Sequence, residues 1–304
     1  MLTLFLPLAQ VEVWLPGAVL LGLSVGVLTG LFGVGGGFLL TPALKALFGV
    51  PYPVAVGTDL VQIFLTGTVS AYRHRRAGNV DLRLGLVLGA GAIAGAEVGL
   101  RIQNALESIG DVRVTGGGIT LLDLVLGGLF VVLLASVAGM IWRETRSGRG
   151  DGVDTPVARA LRRIRLRPVI ALPRSDLADI SVWVPLAMGF GVGILTGLMG
   201  VGGGFINFPL LIYVLGVPTH VAIGTSALQV VLASGYGAFR HGGQGHVELV
   251  LVMLLTAGSV LGVQVGVRLA RRFKGQRIRR LFAAVLILGI ATIVWDLSRH
   301  LLAG

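Results

Sequence analysis

Long apolar stretches separated by short polar connections dominate the chain. They recur at residues 14–32, 54–72, 82–102, 118–142, 182–199, 221–239, 249–269 and 281–297. Each is near the roughly 17 to 25 residues that a helix needs to cross a bilayer, so eight membrane spans are predicted. Two shorter apolar runs, 38–48 and 205–215, directly follow glycine clusters and are read as short crossings or re-entrant half-helices.

The pattern is written twice. Residues 26–102 align without a gap on residues 193–269, at a constant offset of 167 positions. GVLTGLFGVGGGF answers GILTGLMGVGGGF, AVGTDLVQ answers AIGTSALQ, and AYRHRRAGNVDL answers AFRHGGQGHVEL. Self-similarity on that scale indicates two copies of one large unit. In a membrane protein such duplication suggests a transporter.

Composition supports the membrane assignment, because 54% hydrophobic and 13% charged residues with a mean hydropathy of +0.89 do not describe a water-soluble surface. Arginine placement then orients the spans. Residues 143–174 carry nine Arg, and residues 271–280 carry five Arg with Lys274. Both segments are expected in the cytoplasm. Four crossings, starting at Val182, Phe205, Val221 and Leu249, connect one cytoplasmic segment to the other. RHRR at 73–76 then falls inside and its counterpart RHGG at 240–243 outside. The expected fold is an all-α polytopic membrane protein of two inverted-topology repeats, each with about five segments and helices broken at the glycine clusters. Residues 1–142 form the first repeat, 143–181 a cytoplasmic Arg-rich linker and 182–304 the second repeat. The first ten residues lack a basic leader region, so the first apolar segment is expected to be retained.

Most of the net charge of +11 is thereby topogenic arginine, suited to anionic lipid heads. Within the linker, PVARALRRIRLRP reads either as a short amphipathic surface helix with Val157, Leu161, Ile164 and Leu166 as its apolar residues, or as a flexible solvated connection between the halves. The basic segment has no aromatic interleaving or folded motif, so no nucleic acid is expected as a partner. Zero cysteines exclude disulfides and thiolate chemistry. The glycine clusters match no nucleotide motif and the five His show no zinc or hydrolase spacing, so neither a cofactor, a metal nor an enzyme activity is expected.

Candidate chemistry concentrates at the helix breaks. Three consecutive glycines, Gly35, Gly36 and Gly37 in one copy and Gly202, Gly203 and Gly204 in the other, each cost a helix about 1 kcal/mol relative to alanine, so the chain should unwind there. Helices restarting at Phe38 and Phe205 would aim free N–H groups at a cavity, an arrangement that attracts anions. Downstream, Thr58 and Gln62 share one helix face, as do Thr225 and Gln229. With Ser226 and Asn207 they are candidates either as neutral donors for a small anionic substrate or as hydrogen-bonding groups that only hold helices together. Asp59 and Glu97 are carboxylates within spans, where each ionisable group is a functional hypothesis; Ser226 and Gln264 replace them in the second copy. Either suits a proton carrier or an ion-paired structural group. Arg73 with His74 and Arg240 with His241 end matched helices and are candidates for gating residues or interfacial anchors.

The doubled GxxTGLxGVGGG motif, the downstream GVP and the AxGTxxxQ segment resemble the sulfite exporter TauE/SafE family of membrane permeases. The resemblance implies a secondary permease of the inner membrane that moves sulfite or an organosulfonate, usually outward. It carries the family's glycine motifs onto residues 33–37 and 200–204, and its GTxxxQ motifs onto Thr58, Gln62, Thr225 and Gln229. GTD in place of GTS in the first copy puts a negative charge near an anion site. The alternative from the residues alone is an anion channel, or an uptake permease for another inorganic or carboxylate anion.

Overall fold

A computed structural model describes residues 3–108, 121–146, 155–162 and 166–302. Among these the chain is all-α apart from two small β-hairpins. The first half holds β1 (Thr3–Leu6) and β2 (Val11–Trp14), then α1 (Leu15–Phe32), α2 (Gly37–Phe48), α3 (Tyr52–Arg76), α4 (Leu82–Ser108) and α5 (Leu121–Arg146). A short α6 (Pro156–Arg162) leads to β3 (Val169–Leu172) and β4 (Leu177–Ser181), joined by a 3-10 turn at Pro173–Ser175. The second half follows with α7 (Trp183–Met199), α8 (Gly204–Tyr213), α9 (Thr219–Gly243), α10 (Leu249–Arg272) and α11 (Gly275–Leu302).

Seven of these helices, α1, α3, α4, α5, α9, α10 and α11, are long and apolar enough to cross a membrane. The eighth expected span, residues 182–199, folds as the apolar 17-residue α7. All four tryptophans, Trp14, Trp142, Trp183 and Trp295, lie near helix ends and are about half exposed. That placement suits the headgroup level of a bilayer. The hairpins, each just ahead of the first long helix of a half, have no counterpart in the sequence expectations because hydropathy merges them with their flanks. The linker helix is shorter than expected, and Ile164 lies outside the described residues. Its buried residue is Ala158, while Val157 and Leu166 are exposed.

The two halves exchange partners. Helix α1 packs along α10, and α4 packs along α7, in the same pattern. Gly22, Gly26 and Gly30 of α1 lie against the backbone of Leu255, Ser259 and Val263, while Gly258, Gly262 and Gly266 of α10 lie against the backbone of α1. The second interface repeats this with Gly91, Gly95 and Gly99 of α4 and Gly189, Gly193 and Gly197 of α7. Four-residue spacing puts each set on one helix face, and hydrogen side chains let the backbones touch. Close van der Waals packing of this kind is what holds helices together in lipid, where apolar burial gives no net drive.

Between these pairs, α3 packs on α9. Gly57 near the start of α3 meets the His246 carbonyl beyond the end of α9, and Gly224 near the start of α9 meets the Asn79 carbonyl beyond the end of α3. The two helices, equivalent in the repeat, therefore run antiparallel. Helix α5 packs on α11, and Phe32, Phe38, Phe130, Phe205, Phe208 and Phe282 form one connected aromatic cluster.

The short apolar runs become half-helices of 12 and 10 residues, about 18 and 15 Å long at 1.5 Å per residue. Helix α2 starts beside Asp59 and Ile63, midway along α3, and Leu40, Leu44 and Val50 run down to Leu6, Val13 and Ala18 at the start of α1. The glycine loop and α2 together thus return the chain to the end from which α1 departed.

Candidate functional site

Both predicted breaks are present. Helix α1 stops at Phe32 with Gly33 at φ 67°, and Gly35 and Gly36 also have positive φ before α2 begins. Gly200, Gly202 and Gly203 repeat this conformation between α7 and α8. Only glycine adopts it without a steric cost from Cβ. The two loops meet. A Cβ on Gly37 would lie 3.1 Å from the Val201 carbonyl oxygen, and one on Gly204 would collide with the Val34 carbonyl. Gly35 and Gly202 both face Ile63 and Val230, which are themselves repeat equivalents. The loops from the two halves therefore adjoin at the centre of the protein, and the first N–H groups of α2 and α8, which have no partner within their own helices, start there. Phe38 and Phe205 contribute backbone only; their side chains stack in the aromatic core with centroids 5.8 Å apart.

The GTxxxQ segments divide into structural and free parts. Thr58 Oγ1 accepts the Glu248 N–H at 3.0 Å, and Thr225 Oγ1 accepts the Asp81 N–H at 3.1 Å. Each threonine thus binds the backbone just ahead of the fourth helix in the opposite half. The acids at these positions reach further: Glu248 Oε2 accepts the Leu8 N–H at the tip of the first hairpin, and Asp81 Oδ2 accepts the Ser175 hydroxyl at the tip of the second. Glycine at 57 and 224 lets the opposite loop come close enough for this bond. Both threonine oxygens are thereby committed as acceptors to the contact between the halves. Thr58→Val or Thr225→Val, which strands a buried N–H, is expected to cost about 1–3 kcal/mol. Thermal unfolding in detergent should show similar losses for both, with Thr58→Ser close to wild type.

The remaining donors differ between halves. In the first, Thr41 donates to Asp59 Oδ2 at 2.6 Å, and Gln62 Nε2 donates to Ser259 Oγ at 2.6 Å. In the second, Phe208 replaces Thr41 and Ala92 occupies the position equivalent to Ser259. Ser226, Asn207 and Gln229 are fully buried there, and no polar side-chain atom of the three has a hydrogen-bond partner. Asp59 Oδ1 and Gln62 Oε1 are the corresponding unpartnered atoms in the first half. Asp59 also lies against Gly37 at the N-terminus of α2, where the helix dipole favours a carboxylate. In the second half the residue equivalent to Asp59 is the neutral Ser226 of α9.

The helix-end pairs are asymmetric too. His74 is buried and donates through Nε2 to the Gly30 carbonyl at 2.9 Å, while Ser70 donates to the Thr29 carbonyl. His241 is equally buried, yet neither ring nitrogen has a partner. Arg73 and Arg240 are half-buried. Glu97 is ion-paired with Arg101 at 2.8 Å and accepts the Tyr236 hydroxyl at 2.5 Å, with Arg240 3.7 Å away. It is grouped with Arg240 rather than with Asp59.

The family model of the sulfite exporter TauE/SafE family matches residues 18–293. The chain belongs to this family. It is 28% identical over 290 residues to the probable membrane transporter protein YunE of Bacillus subtilis, with 91% of this chain and 96% of that protein covered. It is 23% identical over 286 residues to the probable membrane transporter protein MJ0441 of Methanocaldococcus jannaschii, covering 90% and 92%. The probable membrane transporter protein MamO of Magnetospirillum gryphiswaldense is 30% identical over 290 residues, covering 89% of this chain and 43% of MamO. No solved structure gives a significant match.

This TauE/SafE family member uses several polar residues that the sequence reading did not single out. Thr41, Ser259 and Tyr236 each have an apolar counterpart at the matched position, Phe208, Ala92 and Val69. A polar residue present in only one copy of a repeat was the available signal.

Proposed function

We propose that the protein is a secondary transporter of the inner (plasma) membrane that exports a small sulfur-containing anion, sulfite or an organosulfonate such as sulfoacetate, by proton-coupled alternating access. The observation that carries this reading is the set of buried, unpartnered donors Asn207, Ser226 and Gln229 on α8 and α9, beside the start of a broken helix. Such groups cost about 1–3 kcal/mol each when left without hydrogen bonds, so a site with this many is built for a polar ligand. Amide and hydroxyl donors with a helix N-terminus suit an oxyanion. The substrate sits on the second half, because in the first half Asp59 already supplies the negative charge at the helix start.

That inequality supplies the coupling. An anion arriving near ionised Asp59 meets like-charge repulsion in a medium of low dielectric. A proton taken up by Asp59 removes the repulsion, so anion and proton travel together. The antiparallel course of α3 and α9 supports inverted repeats at 1–142 and 182–304, joined by the linker at 143–181. The arginines of 143–174 and 271–280 support the cytoplasmic placement of those segments.

Flux of radiolabelled sulfite and sulfoacetate from proteoliposomes tests the reading. Saturable efflux of one of them that responds to an imposed pH gradient is expected. Asp59→Asn should retain anion exchange and lose the response to the gradient. Non-saturating conduction of chloride or carboxylates, with no sulfur-anion flux, would replace the transporter with a channel.

A further inference from the structure

Ile63 of α3 and Val230 of α9 are repeat equivalents, both fully buried, and they lie side by side between the two glycine loops. A Cβ on Gly35 would come within 2.8 Å of Ile63 Cγ2 and 2.9 Å of Val230 Cγ1, and one on Gly202 within 3.3 Å and 3.4 Å of the same two atoms. Each side chain therefore touches both loops. Each also reaches the start of its own half-helix, where Gly37 faces Ile63 Cδ1 and Gly204 faces Val230 Cγ2.

Polar residues stand one turn away from this pair. At the start of α2, a Cβ on Gly37 would sit 2.5 Å from Ile63 Cδ1 and 2.9 Å from Asp59 Oδ2, so an apolar and a polar group flank the same helix start. Val230 and Ser226 are the equivalent pair on α9, and Asn207 shares a face of α8 with Gly204, which meets Val230. Carbon atoms accept no hydrogen bond, so a ligand oxygen turned toward Ile63 or Val230 would lose its hydration without replacement. An oxyanion held at the helix start therefore turns its oxygens to Asn207, Ser226 and Gln229 and any other substituent to the apolar pair. Val and Ile keep one strongly preferred χ1 rotamer in a helix, so neither side chain swings aside for a larger group. The two differ by one methylene, and the smaller, Val230, is on the helix that carries the unpartnered Ser226 and Gln229.

We propose that Ile63 and Val230 are specificity-determining residues that select an anion with one short apolar substituent, an alkanesulfonate rather than an ion with oxygens on every side, and that Val230 sets the longest substituent admitted. This assignment rests on the anion-transport reading, and the experiment separates the two. Thermal unfolding of the purified full-length protein in detergent gives the half-saturating concentrations of methanesulfonate, ethanesulfonate and 1-propanesulfonate, with acetate, propionate and butyrate as a parallel series, because a ligand that binds only the folded state stabilises it once its concentration exceeds Kd. Val230→Ala should shift the preference about tenfold or more toward the member one carbon longer, and Val230→Ile by a similar factor toward the shorter one, the scale on which pockets discriminate a single methylene. Val231→Ala, the same truncation at a neighbour that packs on Gly67, should leave the ratios unchanged. Ile63→Val, which installs the residue of the other copy, should shift the preference in the same direction as Val230→Ala and replaces it if that variant fails to fold. Ratios that are equal in wild type and in these variants overturn the assignment even if sulfonates bind. A shift seen only among carboxylates, with no sulfonate binding, sustains the apolar wall and refutes the sulfur anion. Stabilisation by neither series refutes both.

Discussion

Gly193→Val is expected to leave little folded protein, whereas Gly191→Ala, two positions away on the same helix, should be harmless or stabilising. A Cβ at Gly193 would run into the carbonyl oxygen, Cα and carbonyl carbon of Ala92 on α4, and none of these atoms can rotate aside. A Cβ at Gly191 meets nothing within 4 Å. Overpacking a well-fitted site costs about 1–3 kcal/mol and more when backbones must separate. Here separation would also draw apart the flanking contacts at Gly189 and Gly197. Alanine at an exposed helical glycine gains up to about 1 kcal/mol of helix propensity. Gly26→Val at the equivalent place in the first half should match Gly193→Val, because its Cβ would strike the Ser259 backbone in the same way. Size-exclusion profiles and thermal unfolding in detergent give the comparison directly. Equal stability of the Gly191 and Gly193 variants would mean that the α4–α7 interface is not packed backbone to backbone.

Asn207→Leu should separate stability from transport. Leucine is the residue that the first copy carries at the matched position, Leu40, where it is fully buried. The substitution removes two buried, unpartnered polar atoms. Relieving them is expected to raise stability by about 1–3 kcal/mol. If Asn207 binds the substrate, the same change should lower anion flux tenfold or more, since a lost hydrogen bond to a charged ligand is worth about 1.5–3 kcal/mol. Thermal unfolding and proteoliposome flux, measured on one preparation, test both halves of the statement. A variant that is less stable and transports normally would show Asn207 to be a structural residue.

Much of the architecture was legible along the chain. The helix spans follow from runs of apolar residues, and the breaks at 33–37 and 200–204 follow from a local conformational cost that glycine runs impose wherever they occur. The duplication was readable as identity at a fixed offset. Within the candidate site, the sequence pointed to Thr58, Gln62, Thr225 and Gln229 as four equivalent donors. They are not equivalent in the fold. Thr58 and Thr225 face backbone N–H groups from the opposite half, Gln62 is bonded to Ser259, and Gln229 has no partner. Glu97 read as a candidate for proton coupling or for an ion pair, and in the fold it is paired with Arg101, bonded to Tyr236 and close to Arg240.

What the sequence determined by itself were the properties that depend on neighbours in the chain: which segments are apolar enough to enter lipid, where a helix must stop, and that one unit was used twice. Only the tertiary structure decided which glycines separate helices from collision, that each half's first helix lies against the other's fourth, and that among the described residues Asn207, Ser226 and Gln229 of the second half are buried with no hydrogen-bond partner. The reason is that hydropathy and backbone propensity act over a few residues, whereas close approach and hydrogen-bond satisfaction depend on atoms more than a hundred positions away.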